Sequence, residues 1–136
     1  MQGISIKAIV LATLAVFGID FVSSLVLFAM FGGPPLDAPK EQIEAALAAL
    51  NEDAGYLLTA LVLGTASTVV GGYLTARLAP TLPYYNALAF GVLGVAISIP
   101  FSTGVPTWVR VLGLGLGIPA ALAGAYLSKR KGGIAR

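Results

Sequence analysis

The chain has 136 residues, of which 57% are hydrophobic and 10% charged, with a net charge of +2; an ordinary soluble domain carries roughly 25% charged residues. Together with a mean hydropathy of +0.91, this excludes a disordered chain and leaves too few polar side chains to clothe a water-bathed domain. Lipid is the expected solvent for most of the surface. The sequence contains neither cysteine nor histidine. That removes a disulfide framework, a thiolate metal site, the commonest general base and the commonest metal ligand.

A bilayer-spanning helix needs about 20 mostly apolar residues. The first such run covers 7–31 and is interrupted only by Asp20. It exceeds a typical signal-peptide core of about 7–15 apolar residues, and Ala29-Met30-Phe31 is a poor cleavage site, so its retention is expected. The connection 32–53 opens with Gly32-Gly33-Pro34-Pro35, which stops the first helix. Pro39 then suits the start of a new one. Ile43, Ala46, Leu47 and Leu50 recur at helical spacing, with Glu41, Glu44 and Glu52 mostly on other faces. A short amphipathic helix lying at the membrane surface is predicted. Asp37, Glu41, Glu44, Glu52 and Asp53 outweigh Lys40 in this loop. It could dock a basic partner or collect cations, but a solvated helix face accounts for the charges more simply.

The second apolar run covers 54–78, the third 82–101 and the fourth 108–128. None is long enough to cross twice. Strict two-residue alternation is missing, which argues against a membrane barrel, and open strands cannot span lipid. The predicted fold is therefore an all-α integral membrane four-helix bundle in one domain, with the amphipathic helix in its first loop. If the helices alternate, Lys7, Arg77, Lys129, Arg130, Lys131 and Arg136 fall on one side, and only Lys40 and Arg110 on the other. This places both termini in the cytoplasm. The basic tail is read as a topology anchor first, with contact to anionic lipid the less favoured addition, and a net charge of +2 gives no signal for nucleic acid.

In lipid, helices associate through close backbone contact and hydrogen bonds. Ala60, Gly64, Thr68, Gly72 and Ala76 form a stripe at every fourth residue of the second span. Gly113, Gly117 and Ala121 do the same in the fourth. These are the expected packing contacts, within the chain or between subunits. The endings Gly71-Gly72-Tyr73-Leu74-Thr75-Ala76-Arg77 and Gly124-Ala125-Tyr126-Leu127-Ser128-Lys129-Arg130 also resemble each other. In another register, Phe17-Gly18-Ile19 matches Phe90-Gly91-Val92. Two parallel-repeat helical hairpins would explain this. So would the ordinary preference of Tyr and Arg for the membrane edge.

Asp20 is the one residue that is expensive at depth: an ionised carboxylate at a span centre costs about 2.5–3.5 kcal/mol on insertion scales. It lies roughly 16 Å below the outer end of its helix at about 1.5 Å per residue. Counting the same distance along the other spans reaches Thr65, with Ser67 and Thr68 a turn deeper, and Pro119, which leaves the Gly115 carbonyl without its helical donor. Asp20, Thr65, Ser67, Thr68, Gly115 and Pro119 are thus the candidate polar layer. Arg110 lies nearer the outer surface and would have to bend inward to pair with Asp20. Two readings follow: Asp20 binds and releases a proton or cation during transport, or it is a hydrogen-bonded lock between helices or toward a partner protein.

Gly71-Gly72-Tyr73-Leu74-Thr75-Ala76-Arg77-Leu78-Ala79 closes one span and Asn86-Ala87-Leu88-Ala89-Phe90-Gly91 opens the next. Pro106-x-Trp108 precedes a last span that contains Pro119-Ala120-Ala121-Leu122-Ala123-Gly124-Ala125-Tyr126-Leu127. Over about residues 55–128 the chain resembles the small, uncharacterised four-helix inner-membrane proteins of bacteria that carry a GGYxxAR-like ending and a proline-bearing last helix. The resemblance implies the bacterial inner membrane and brings no activity with it. The first expectation for function is a non-enzymatic subunit, scaffold or homo-oligomer in the lipid bilayer, without a cofactor or metal. The second is a small proton- or cation-coupled transporter using Asp20. Enzymatic chemistry is the weakest class: Ser23, Ser24, Ser67 and Ser98 have no histidine base, Asp20 has no second deep carboxylate, and every lysine sits at a membrane edge or in a loop.

Overall fold

The computed structural model describes the backbone of residues 3–101 and 104–135, with side chains through 100 and from 104 to 129. The described residues form five α-helices and no strand: α1 Ile6–Met30, α2 Lys40–Leu50, α3 Ala54–Leu78, α4 Pro83–Phe101 and α5 Thr107–Ala135. All but α2 are long and apolar enough to cross a membrane. At about 1.5 Å per residue, the 25 residues of α1 and of α3 extend about 37 Å, against roughly 30 Å of hydrocarbon. The apolar part of α5 ends at Lys129, but the helix continues into the basic tail. Lys129, Arg130 and Lys131 are good helix formers, and the helix persists through the unfavourable Gly132-Gly133 to Ala135.

Local chemistry sets the boundaries. The Ser5 hydroxyl accepts from the Ala8 N–H (3.2 Å) and caps α1. Gly32 takes a positive φ of 86° just past the end of α1, a conformation that glycine adopts without steric penalty. The Asp53 carboxylate accepts from the Tyr56 N–H (3.2 Å) and caps α3; this acid of the loop therefore has a structural task. Ala79 precedes a proline and is extended (φ −73°, ψ 129°), which ends α3. In α2, Leu50 is buried and Ile43 and Ala46 are half-buried, while Glu41 and Glu44 are exposed. Leu47, grouped with the apolar face in the sequence, is 42% exposed.

The chain runs up and down, so one end of the bundle carries α2 (the loop end) and the other both termini (the terminal end). α3 packs against α1, α4 and α5, and its contact with α5 is the most extensive. α1 rests on α3 and, less extensively, on α4. At the terminal end the bundle is closed. Ala12, Phe90 and Ala121 form one buried cluster with Val16 and Leu74 against it, and Ala76, Ala87 and Ala125 form another beside Tyr84. Where α3 crosses α5, a Cβ at Gly72 would collide with the Ala121 backbone, and one at Gly124 with the Val69 carbonyl and the Tyr73 nitrogen. Only glycine lets the backbones approach so closely.

Asn86 completes this end. It is fully buried. Its Oδ1 accepts from the Ser5 N–H (2.6 Å), and its amide nitrogen, with two protons to donate, lies within hydrogen-bond distance of three carbonyls, those of Gly3 (2.9 Å), Thr81 (3.0 Å) and Leu82 (2.9 Å), so that one proton is shared. One side chain thus ties the start of α1 to the α3–α4 turn, where Leu82 has the unfavourable φ of 48°.

The predicted packing stripes divide in two. Gly72, Ala76 and Ala121 are buried in helix contacts, whereas Ala60, Gly64, Thr68, Gly113 and Gly117 line a cleft. A Cβ at Gly64 would meet nothing within 4 Å. Helices that cross touch closely at one level and diverge from it, so a stripe longer than the crossing cannot be covered along its whole length. Of the segments that suggested a repeat, Phe17 and Phe90 occupy unlike places, 49% and 4% exposed, whereas Gly71, Gly72 and Thr75 are buried as are Gly124, Ala125 and Ser128.

Candidate functional site: a polar cleft ending at Asp20

Toward the loop end the bundle opens into a cleft of about 1030 Å³ with walls from α1, α3, α4 and α5. A smaller chamber of about 120 Å³ continues from it toward the terminal end. Asp20, Phe17, Thr68, Ser98, Gly113 and Gly117 line both spaces, so they mark the junction. Below the chamber, Phe90 and Ala121 belong to the closed core.

Helical spacing explains how α1 delivers its part. Thr13, Phe17, Asp20 and Ser24 are separated by four, three and four residues, which places them on one face. Thr13 lines the chamber, Ser24 the cleft, and Phe17 and Asp20 both. The same rule brings Gly91, Gly94 and Ser98 of α4 to the chamber wall.

Asp20 is half-buried. Its Oδ1 accepts a 2.6 Å hydrogen bond from the hydroxyl of Ser67, which is itself buried and also lies 3.0 Å from the Gly64 carbonyl. A hydrogen bond this short to a carboxylate belongs to the strong class. The Thr68 hydroxyl donates to the Gly64 carbonyl (2.9 Å) and the Ser98 hydroxyl to the Gly94 carbonyl (2.6 Å). These bonds use the hydroxyl protons on the helix's own backbone, leaving oxygen lone pairs for the cavity. The Thr13 hydroxyl oxygen is buried without a hydrogen-bond partner.

The structure brings some of the sequence candidates together and separates others. Asp20 meets Ser67, and Thr65 and Thr68 line the cleft. Gly115 and Pro119 are exposed and line neither space, so they do not belong to the layer around Asp20. The depth count reached them because it fixes a level along α5 without fixing the side of the helix; Gly113, Leu114 and Gly117 are the α5 residues that face inward at that level. Arg110 lines the cleft but not the chamber. Thr13, Gly94 and Ser98 were not among the sequence candidates. Their signal was the same-face spacing from Asp20 along α1, and along α4 the pairing of small residues with a hydroxyl.

Of the expected topology anchors, Lys7 and Arg77 are exposed near the terminal end, and the Lys129 ammonium lies 5.4 Å from the centre of the Tyr84 ring, within cation–π range. The side chains of Arg130 and Lys131 lie outside the described residues. At the loop end, Lys40 lies 3.7 Å from Glu44, both exposed, a geometry that contributes little in water. Among the described residues no group of three or more acids could hold a metal ion. The chemistry on offer is thus one carboxylate, several hydroxyl oxygens and, in the wider cleft, the Arg110 guanidinium, within a largely apolar lining. No family model, curated protein or solved structure matches the chain.

Proposed function

We propose that the chain is a non-enzymatic, multi-pass protein of the bacterial inner membrane, with both termini in the cytoplasm, working as a subunit, scaffold or homo-oligomer. The four long apolar helices and large exposed side chains such as Ile6, Phe21, Val62 and Met30 support immersion in lipid. The gathering of Lys7, Arg77 and Lys129 at one end supports the orientation. The observation that carries the assembly reading is the uncovered half of the small-residue stripe. Ala60, Gly64 and Gly113 line an open cleft, and in lipid such a wall gains by receiving another helix. Native mass spectrometry from membranes tests this. A defined oligomer or a stoichiometric complex is expected; a monomer alone would overturn it.

A second reading has its own observation in its favour. The cleft narrows at Asp20 into a chamber that stops at the closed core, the arrangement needed by a carrier that loads a proton or cation from one side. In reconstituted vesicles this reading expects cation-dependent proton flux that Asp20→Asn abolishes. Equal flux in the two proteins would remove Asp20 from the mechanism.

A further inference from the structure

We propose that the chamber between α1, α3, α4 and α5 is a binding site for a monovalent inorganic cation of about sodium size, held by Asp20 with the hydroxyl oxygens of Thr68 and Ser98 and, two turns from Asp20 along α1, by Thr13 through water. The inference deepens the carrier reading by naming its ion, but it requires binding alone and stands if nothing is transported.

Three observations carry it. The first is polarity. Thr68 and Ser98 donate their protons to the Gly64 and Gly94 carbonyls, so their oxygens face the chamber as acceptors. Ser67 directs its proton at Asp20. A wall of acceptors with one carboxylate repels anions and suits a hard cation, which takes oxygen ligands. The second is the Thr13 oxygen, buried without a hydrogen-bond partner in a residue that lines this chamber. Buried polar atoms are nearly always satisfied, and one that is not calls for an explanation; a water of the cation's shell, reached by a small rotation of the Thr13 side chain, supplies one. The third is size and charge. About 120 Å³ is room for an ion and several waters, since a site needs only about 10–15 Å³ of such volume to hold one water. A single carboxylate balances a single positive charge, whereas a divalent ion would leave a net charge in a half-buried site. The shortage of clustered acids among the described residues argues in the same direction.

The test uses the purified full-length protein in nanodiscs, with thermal unfolding followed in sodium chloride against choline chloride at constant ionic strength. Sodium is expected to raise the melting temperature by a few degrees and to saturate, because a ligand that binds only the folded state stabilises it by mass action. Choline carries its charge behind methyl groups and cannot take oxygen ligands directly as a bare hard cation does, so it should have no such effect. Asp20→Asn should lose the sodium response. Gly94→Val should lose it too, by filling the chamber, and a Cβ at that position meets nothing within 4 Å. Thr13→Val, which keeps the side-chain shape, should raise the half-saturating sodium concentration about tenfold. Equal melting in sodium and choline for the native sequence would overturn the site, as would an undiminished sodium response in a folded Asp20→Asn or Gly94→Val protein. A saturable sodium response without cation-dependent proton flux keeps the site and overturns the carrier. Proton flux without a sodium response does the reverse.

Discussion

Alanine substitution at Gly64 and at Gly72 separates two halves of one helix stripe that the sequence alone treats as equivalent. At Gly72 the added Cβ would stand 2.7 Å from the Ala121 Cα. Ordinary contact begins near 3.4 Å, so α3 and α5 must part by about 1 Å where they cross. The obstacle is backbone and cannot rotate aside. Overpacking of this kind costs about 1–3 kcal/mol, and the upper part of that range applies. The gain in helix propensity from glycine to alanine, about 1 kcal/mol, offsets part of it, leaving a net loss of about 2 kcal/mol. At Gly64 the new methyl enters open space, and only the propensity gain remains. The two variants should therefore differ by about 3 kcal/mol, with opposite signs. Reversible unfolding in mixed micelles, followed by the fluorescence of Trp108, the single tryptophan, measures both. Changes of the same sign and similar size would refute the α3–α5 crossing described above.

Asn86→Ala should be the most damaging polar substitution, because it removes the hydrogen bonds of a buried side chain and leaves carbonyls and an N–H unpaired. A loss of about 2–4 kcal/mol is expected from the usual 1–3 kcal/mol for each buried unsatisfied group, with faster proteolysis near residue 5. Ser67→Ala takes the hydroxyl donor from Asp20 and should destabilise the bundle by about 1–2 kcal/mol. In an Asp20→Asn background the same change should cost less, and a double-mutant cycle showing no coupling would contradict the bond. Asp53→Ala removes the N-cap of α3 at an exposed position and should cost about 1 kcal/mol in the same unfolding assay.

The long elements were legible in the sequence because apolar length alone defines them: Asp20 interrupts the first run and leaves its length intact, and the second carries no charge before Arg77. The short α2 was legible from Pro39 and the spacing of Ile43, Ala46 and Leu50. Ser67 was found by counting depth from Asp20, since level is preserved between antiparallel helices. Facing was not legible by the same count. A helix that is apolar all round gives no moment to orient it, so Pro119 and Gly115 were assigned to a layer that they face away from. Gly64 and Gly72 look identical in the stripe, and only the crossing of α3 with α5 distinguishes an uncovered glycine from a buried one. Asn86 carried no periodic signal at all. Its task depends on Ser5, 81 positions away in the chain, and no local pattern encodes such a pairing.

The account rests on four crossings of the bilayer, and sided cysteine labelling addresses that most directly because the chain has no cysteine of its own. Glu44→Cys places a thiol at an exposed position in α2, and Thr81→Cys at an exposed position in the α3–α4 turn. In intact spheroplasts a membrane-impermeant maleimide should label Glu44→Cys at once and Thr81→Cys only after lysis. Equal labelling of both thiols before lysis would contradict the arrangement.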